Sequence, residues 1–285
     1  MIKPEKNCII LTTGGAHAIV VNTLRIITLL TDFGTKDGYH GVMKGVIWGI
    51  APGVKIADIT HQISPQNVLE GALAYSRVAH FFPPGTIHVG VVDPGVGTAR
   101  RPIAAQIGSQ FFVGPDNGLC TLLVQQSRQQ NETVRFVKLD QPKYWLSEVS
   151  NVFHGRDIFS PVAAHLANGV VLGDLGSPID DPRLLQIPEP ERTANGWRGQ
   201  IVIVDNFGNL SSNLRHAHLA GLDDVTVEIA GQSIHGLLQT FGEGQPGELV
   251  ALFGEADDLA VCVVNGDAAR RLNVRVGEPL VARSR

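Results

Sequence analysis

The sequence predicts an α/β fold followed by a smaller all-β domain, either a barrel or a sandwich. Three observations predict it. Up to residue 168, β-rich apolar runs alternate with segments whose apolar residues recur at helical spacing, the pattern of a parallel sheet with helices on its faces. Beyond residue 199, short strand patterns and turns follow one another without a long helix. Between them, residues 176–198 lack periodicity and hold Pro178, Asp180, Asp181, Pro182, Pro188, Glu189, Pro190 and Glu191. A length of 285 residues makes two domains the prior.

The run Arg25 to Leu30 is the first strand and ends at the Thr31-Asp32-Phe33-Gly34 turn. Gly38 to Ile50 is helical in spacing and stops at Pro52-Gly53, and Val54 to Ile59 is the second strand. Ser64-Pro65 opens a second helix that runs to Phe82, with Ser64 as its N-cap. Thr86 to Val92 is the third strand; it delivers Asp93 and the Pro94-Gly95-Val96-Gly97 loop to its carboxyl end, the edge where open α/β sheets bind ligands. Ile103 to Ile107 and Gln110 to Val113 flank Gly108-Ser109 as a hairpin, a helix follows from Leu119, and Arg156 to Asn168 is the last long helix, stopped by Gly169. Strands are then expected at 199–205, 225–230, 233–235, 248–253, 259–264 and 279–282. The domains read as 1–24 a flexible N-terminal extension, 25–180 the α/β domain, 181–198 a linker, and 199–285 the β domain.

Composition narrows the function classes. With 44% hydrophobic and 18% charged residues, 32 Gly and 16 Pro, the chain is neither disordered nor fibrous. Lys and Arg total 23 against 27 Asp and Glu, a formal charge of -4, which argues against a nucleic-acid surface. No apolar run approaches the ~18 residues that span a bilayer, so no membrane segment is expected. Cys8, Cys120 and Cys262 are far apart and lack metal or redox spacing, as expected of reduced thiols in a cytoplasmic protein. Lys3 and Lys6 before Cys8 to Leu11 loosely resemble a signal peptide, but Glu5 and the Thr12-Thr13-Gly14-Gly15 interruption favour an extension or an upstream start codon.

Three polar positions stand at strand ends or helix starts: Asp32, Asp93 with Arg100 following, and His154 in Phe-His-Gly-Arg-Asp. A carboxylate after the first strand suits the two hydroxyls of a ribose, which makes Asp32 the ribose candidate; the alternative is an Asp that caps its own turn. Asp93, Arg100 and His154 together offer a carboxylate, a fixed cation and a titratable ring able to hold and deprotonate water. Their alternative is an ordinary ion pair of Asp93 with Arg100 or Arg101. Asp58, His61, His88, Asp93, His154 and Asp157 are metal-ligand types, yet no pair has a His-Glu-x-x-His or similar spacing, and no metal site is expected. Gly95 and Gly97 read as turn formers and not as a phosphate cradle.

The motifs Thr31-Asp32-Phe33-Gly34, Asp58-Ile59-Thr60-His61, Phe82-Pro83-Pro84-Gly85-Thr86, Val92-Asp93-Pro94-Gly95-Val96-Gly97-Thr98, Pro115-Asp116-Asn117-Gly118, Phe153-His154-Gly155-Arg156-Asp157 and Asp205-Asn206-Phe207-Gly208-Asn209 stand in order along the chain. Together they resemble the S-adenosyl-L-methionine hydrolases, or SAM hydroxide adenosyltransferases, relatives of the fluorinating and chlorinating enzymes. The resemblance runs from residue 25 to the C-terminus. It implies a Rossmann-like three-layer α/β domain, then a β-barrel domain, in a homotrimer with active sites between subunits. The implied reaction is attack of water or hydroxide on the 5′ carbon of S-adenosyl-L-methionine, giving adenosine and L-methionine. The sulfonium compound is then the substrate, and no cofactor or metal is implied.

By the same resemblance, Asp93, Arg100 and His154 activate water and Asp32 binds the ribose. Asp37, Tyr39, Phe153, Asp205, Asn209 and Asn265 are substrate contacts, with Asp205 and Asn209 on the methionine part and Asn265 near the adenine edge. Departures from the pattern are Val152, where the family often has Thr, and the acidic Glu255-Ala256-Asp257-Asp258 turn. Two alternatives remain: a halide-using relative, in which Tyr replaces the residue at Asp93 and the fluorinating members have Ser at Gly155, and a non-catalytic S-adenosylmethionine or adenosine sensor.

Overall fold

The structure, a computed structural model, describes residues 25–284. The expected extension over residues 1–24 lies outside the described residues, as does Cys8. The chain divides into two compact units, with the division between Leu185 and Gln186.

The first unit contains β1 (Ile26–Thr31), α1 (Tyr39–Ile50), β2 (Lys55–Thr60), α2 (Val68–Val78), β3 (Ile87–Val91), β4 (Pro102–Ile107), β5 (Gln110–Pro115), α3 (Thr121–Gln129), β6 (Val134–Lys138), α4 (Ser160–Ala167) and β7 (Pro178–Ile179). Its seven strands form one sheet in the order β2-β1-β3-β5-β4-β6-β7. Neighbours from β2 to β5 are parallel, and the β4, β6 and β7 pairings are antiparallel. Side chains alternate across the sheet. Ile27, Leu29, Val89 and Val113 bury against Met43 and Ile47 of α1 and Phe159 and Val162 of the 155–167 segment. Leu30, Phe112 and Phe136 bury on the other face with Tyr75 of α2 and Leu123 and Val124 of α3. The sheet is thus covered by helices on both sides, and β1, β2 and β3 end together, at Thr31, Thr60 and Val91.

Several boundaries differ from expectation. Helix α2 begins at Val68, and its N-cap is Asn67, whose side chain accepts from the Glu70 amide, so Ser64 is not the cap. Ser64-Pro65 belongs to a turn in which the Asn67 amide donates to the Ser64 carbonyl. The helix expected from Arg156 opens as a π turn over Gly155–Phe159 before α4. Strand β6 was not anticipated; its Val-Arg-Phe-Val-Lys alternation is short, and Phe136 and Val137 bury on opposite faces of the sheet. No helix among the described residues is long and apolar enough to cross a membrane.

The second unit contains β8 (Glu191–Arg192), β9 (Gly196–Val204), β10 (Leu210–Arg215), α5 (His216–Leu219), β11 (Thr226–Ile229), β12 (Gln232–His235), β13 (Leu249–Phe253), β14 (Asp258–Val263), α6 (Ala268–Leu272) and β15 (Pro279–Arg283). Strands β12-β11-β15-β9-β10-β14-β13 follow one another in one sheet, with β8 paired to β9. An isolated bridge between Leu238 and Leu252 links the two ends, so the sheet is nearly closed. Ile201, Leu210, Val227, Ala251, Val261 and Leu280 point into one core. This is the barrel of the two sequence alternatives. Strand β10 was missed because Leu-Ser-Ser-Asn-Leu-Arg is polar in composition, yet Ser211 and Ser212 are buried in it. Cys120 and Cys262 are free and buried, and burial pushes both thiols up to about 12, so they are inert.

Candidate active site

The carboxyl ends of β1 and β3 present Asp32 and, two residues past Val91, Asp93. Arg100 follows at the end of the 94–99 loop. Its Nε donates to Asp93 Oδ1 at 2.8 Å and Oδ2 at 3.0 Å, and its Nη2 donates to Oδ2 as well. The two side chains are 5% and 4% exposed, which makes this a buried pair in which each charge depends on the other. Arg100 also lies over the Phe159 ring, 5.3 Å from its centroid.

His154 completes the chain: Arg100 Nη2 lies 2.9 Å from His154 Nδ1. A guanidinium has only donors, so Nδ1 is the acceptor and the neutral ring carries its proton on Nε2. Burial, followed by the Arg100 charge, lowers the His154 pKa from its ordinary value, which keeps the ring neutral near pH 7. Arg100 Nη1 is buried and has no hydrogen-bond partner among the described residues.

Two loops hold this group. Gly97 has φ +75, and a Cβ there would lie 2.4 Å from the Asn151 carbonyl, so glycine lets the 94–99 loop touch the 150–153 loop. The second loop is anchored by Asp157, which is fully buried and accepts from the Ser150 amide at 2.9 Å and from Arg156 at 2.5 and 3.0 Å. Ser150 Oγ accepts from the Phe153 amide at 3.0 Å. Arg156 lies over the Phe153 ring at 5.2 Å. Phe33, Tyr39 and Phe153 meet edge to face with centroids 5.5 to 5.9 Å apart.

The choice between Arg100 and Arg101 is decided by direction. Arg101 turns away to Asp116 at 2.8 Å and Asp181 at 2.7 Å. Asp32 accepts from the Gln66 amide through Oδ2 at 2.8 Å. Asp37 is exposed in the turn before α1. In the second unit, Asp205 is bound up in its own loop: Oδ1 accepts from the amides of Phe207 and Asn209 at 2.8 and 2.9 Å, and Oδ2 from Asn209 Nδ2 at 2.8 Å. Asn265 is exposed in a turn with φ 54. No group of three or more His, Cys, Asp or Glu among the described residues is arranged for a metal ion.

Sequence reading did not single out Phe33, Gln66 or Ser150, and it named Asp157 only as a metal-ligand type. Phe33 and Asp157 stood inside quoted motifs, while Ser150 carried no local signal.

A two-unit chain with a carboxylate, guanidinium and imidazole joined at a sheet edge defines a class that the comparisons identify. The SAM hydroxide adenosyltransferase N-terminal domain profile matches residues 27–176, and the C-terminal domain profile matches residues 199–281. The chain belongs to the SAM hydroxide adenosyltransferase family. It is 36% identical over 256 residues to the (R)-S-adenosyl-L-methionine hydrolase of Salinispora arenicola, covering 89% of this chain and 96% of that one. It is 28% identical over 221 residues to the fluorinase of an Actinoplanes species, covering 68% and 73%. Among solved structures, an uncharacterized conserved protein from Thermotoga maritima superposes with a TM-score of 0.83 at 34% identity, covering 90% of this chain and 99% of that one.

Proposed function

We propose that the protein hydrolyses S-adenosyl-L-methionine to adenosine and L-methionine by attack of a held water or hydroxide on the 5′ carbon. The observation that carries this is the buried Asp93–Arg100–His154 chain with a buried donor, Arg100 Nη1, that has no partner among the described residues. The substrate is a sulfonium cation whose charge disappears as the thioether leaves, so the leaving group needs no acid. What remains is to hold an oxygen in line with the breaking bond. Such positioning supplies roughly 7–11 kcal/mol in favourable intramolecular cases, and a positioned base adds roughly 10² to 10⁴-fold.

The geometry divides the labour. Arg100 Nη1 donates to the attacking oxygen and favours its anionic form. His154 stays neutral, and its Nδ1 is available as a base only once Arg100 Nη2 moves from it. Asp93 holds the guanidinium and is the proton acceptor next to it. Asp32, with one carboxylate oxygen fixed by Gln66, receives the ribose hydroxyls. Ring faces of Tyr39 and Phe153 attract the sulfonium cation and release the neutral product. Asp37, Asp205, Asn209 and Asn265 are carried as substrate contacts by their match to the family's motifs.

The α/β unit is read as Rossmann-like, and the working assembly as a cytoplasmic homotrimer with shared sites. A fully active monomer by light scattering refutes that assembly. A halide must enter as an anion against the Asp93 carboxylate, whereas water enters neutral and becomes anionic only as Asp93 takes its proton, which favours water over halide.

The test is incubation with S-adenosyl-L-methionine in ¹⁸O-labelled water, with and without chloride. Labelled adenosine with methionine is the expected result. A 5′-chloroadenosine product would make the protein a halogenase, and binding without turnover would make it a sensor.

A further inference from the structure

Beside the Asp32 turn lies a second polar chain that the proposed chemistry does not use. It begins on α1, where Lys44 Nζ donates to Asp58 Oδ2 of β2 at 2.5 Å. His61 Nε2 lies 3.2 Å from Asp58 Oδ1, and His61 Nδ1 lies 2.9 Å from Thr31 Oγ1, at the end of β1. Thr31 Oγ1 in turn accepts from the Phe33 amide at 3.2 Å, and the Gly34 amide donates to the His61 carbonyl at 2.7 Å. One proton arrangement suits the chain, in which His61 Nε2 meets Asp58 at ion-pair distance and not in hydrogen-bond geometry. Phe33 N–H and Lys44 Nζ–H donate at the two ends, the Thr31 hydroxyl donates to His61 Nδ1, and His61 Nε2–H faces Asp58. Thr31 is fully buried and His61 is 5% exposed.

The groups packed around His61 are Lys44 and His40 of α1, whose ring stacks on it at 4.3 Å, and Asp58 of β2. Burial lowers the His61 pKa, in keeping with the neutral ring this arrangement needs. The chain ends on the turn that carries Asp32. Gln66, whose amide fixes Asp32 Oδ2, holds a left-handed φ of 67, a conformation costly for a side-chain-bearing residue. The segment 58–66 therefore grips both sides of residues 31–34.

We propose that Lys44, Asp58, His61 and Thr31 are positioning residues that form a relay, buried at Thr31 and His61 and partly exposed at Asp58 and Lys44, fixing the Asp32 carboxylate for the ribose of the substrate. This rests on the reading of Asp32 as the ribose ligand. Packing alone does not call for such a chain, since buried polar groups are commonly replaced by apolar ones without loss of stability.

The experiment measures kcat, KM for S-adenosyl-L-methionine, the inhibition constant of adenosine and the melting temperature in Thr31→Val, Thr31→Ser, Lys44→Met and Asp32→Ala. Thr31→Val is expected to raise KM and the adenosine constant about tenfold, the size of one lost buried hydrogen bond, with kcat within about twofold. Thr31→Ser restores both. Lys44→Met, at the partly exposed end, tests the relay without emptying the core if Thr31→Val does not fold; it moves the same two constants in the same direction. A raised adenosine constant in Asp32→Ala beside unchanged constants in the relay variants overturns the relay alone. Unchanged adenosine binding in Asp32→Ala overturns the ribose reading and the relay with it.

Discussion

Asp93 and Arg100 shield one another from the cost of burial, and that fixes what each substitution does. Asp93→Ala leaves a guanidinium that is 5% exposed without its counter-charge, and a stability loss of about 3–5 kcal/mol is expected in urea unfolding. Asp93→Asn keeps the shape and isolates the chemistry: turnover is expected to fall by roughly 10² to 10⁴-fold with KM little changed, and His154→Ala is expected to do likewise. Unchanged turnover in both variants removes the chain from the chemistry. The pH profile follows from His154. Its ring is neutral above its lowered pKa, and protonation puts a second cation against Arg100. The kcat profile is therefore expected to fall as pH drops below the ordinary histidine value of 6.5, and to lose that limb in His154→Gln. An acid limb that persists in the variant assigns it to another group.

The elements that carry the site are loops, and their closeness depends on one missing methyl group. Gly97→Ala would combine a positive φ with a Cβ 2.4 Å from the Asn151 carbonyl. The expected cost is of order 1–3 kcal/mol of stability, together with a fall in kcat, because the two loops part where Asp93 and His154 must stay joined. Thermal melts and steady-state rates on the same sample check both. The strands and helices of the first unit were legible because their apolar residues keep strict periods: Ile27 and Leu29 against Leu30, Met43 against Ile47. Asp93, Arg100 and His154 were legible as residue types at strand and helix starts. Their joining was not, because 54 positions separate Arg100 from His154 and only the folded loops bring them together. Asn67 as the cap of α2 was hidden by Ser64-Pro65, which has the same capping chemistry and lies nearer the expected start. Strand β10 was hidden because its Ser residues are buried by hydrogen bonding, Ser212 Oγ donating to the Leu259 carbonyl at 2.7 Å.

At the scale of the molecule, buried histidines tie stability to pH. His88 lies inside the sheet, bonded to Thr28 at 2.8 Å and within 3.2 Å of Gln110, and burial lowers its pKa to about 4. Above pH 6.5 both folded and unfolded chains hold this ring neutral. Between 6.5 and about 4 the unfolded chain takes up a proton that the folded chain refuses, so stability falls as pH falls. The loss reaches roughly 3 kcal/mol by pH 4 for this residue alone. His61 and His154 shift in the same direction. Urea midpoints at pH 7.5 and 4.5 check this; a midpoint that holds or rises on acidification contradicts it.

Arg100 and Arg101 are consecutive, and they leave the chain for different carboxylates, the first for Asp93 and the second for Asp116 and Asp181. One serves the proposed chemistry and the other ties down the segment after β7. Deleting or adding a single residue between Asp93 and Arg100 would shift both guanidinium groups at once. The bend there accepts exchange of residue far more readily than change of length, and a frame error of one position would be registered twice, as a silent centre and as a loosened seam.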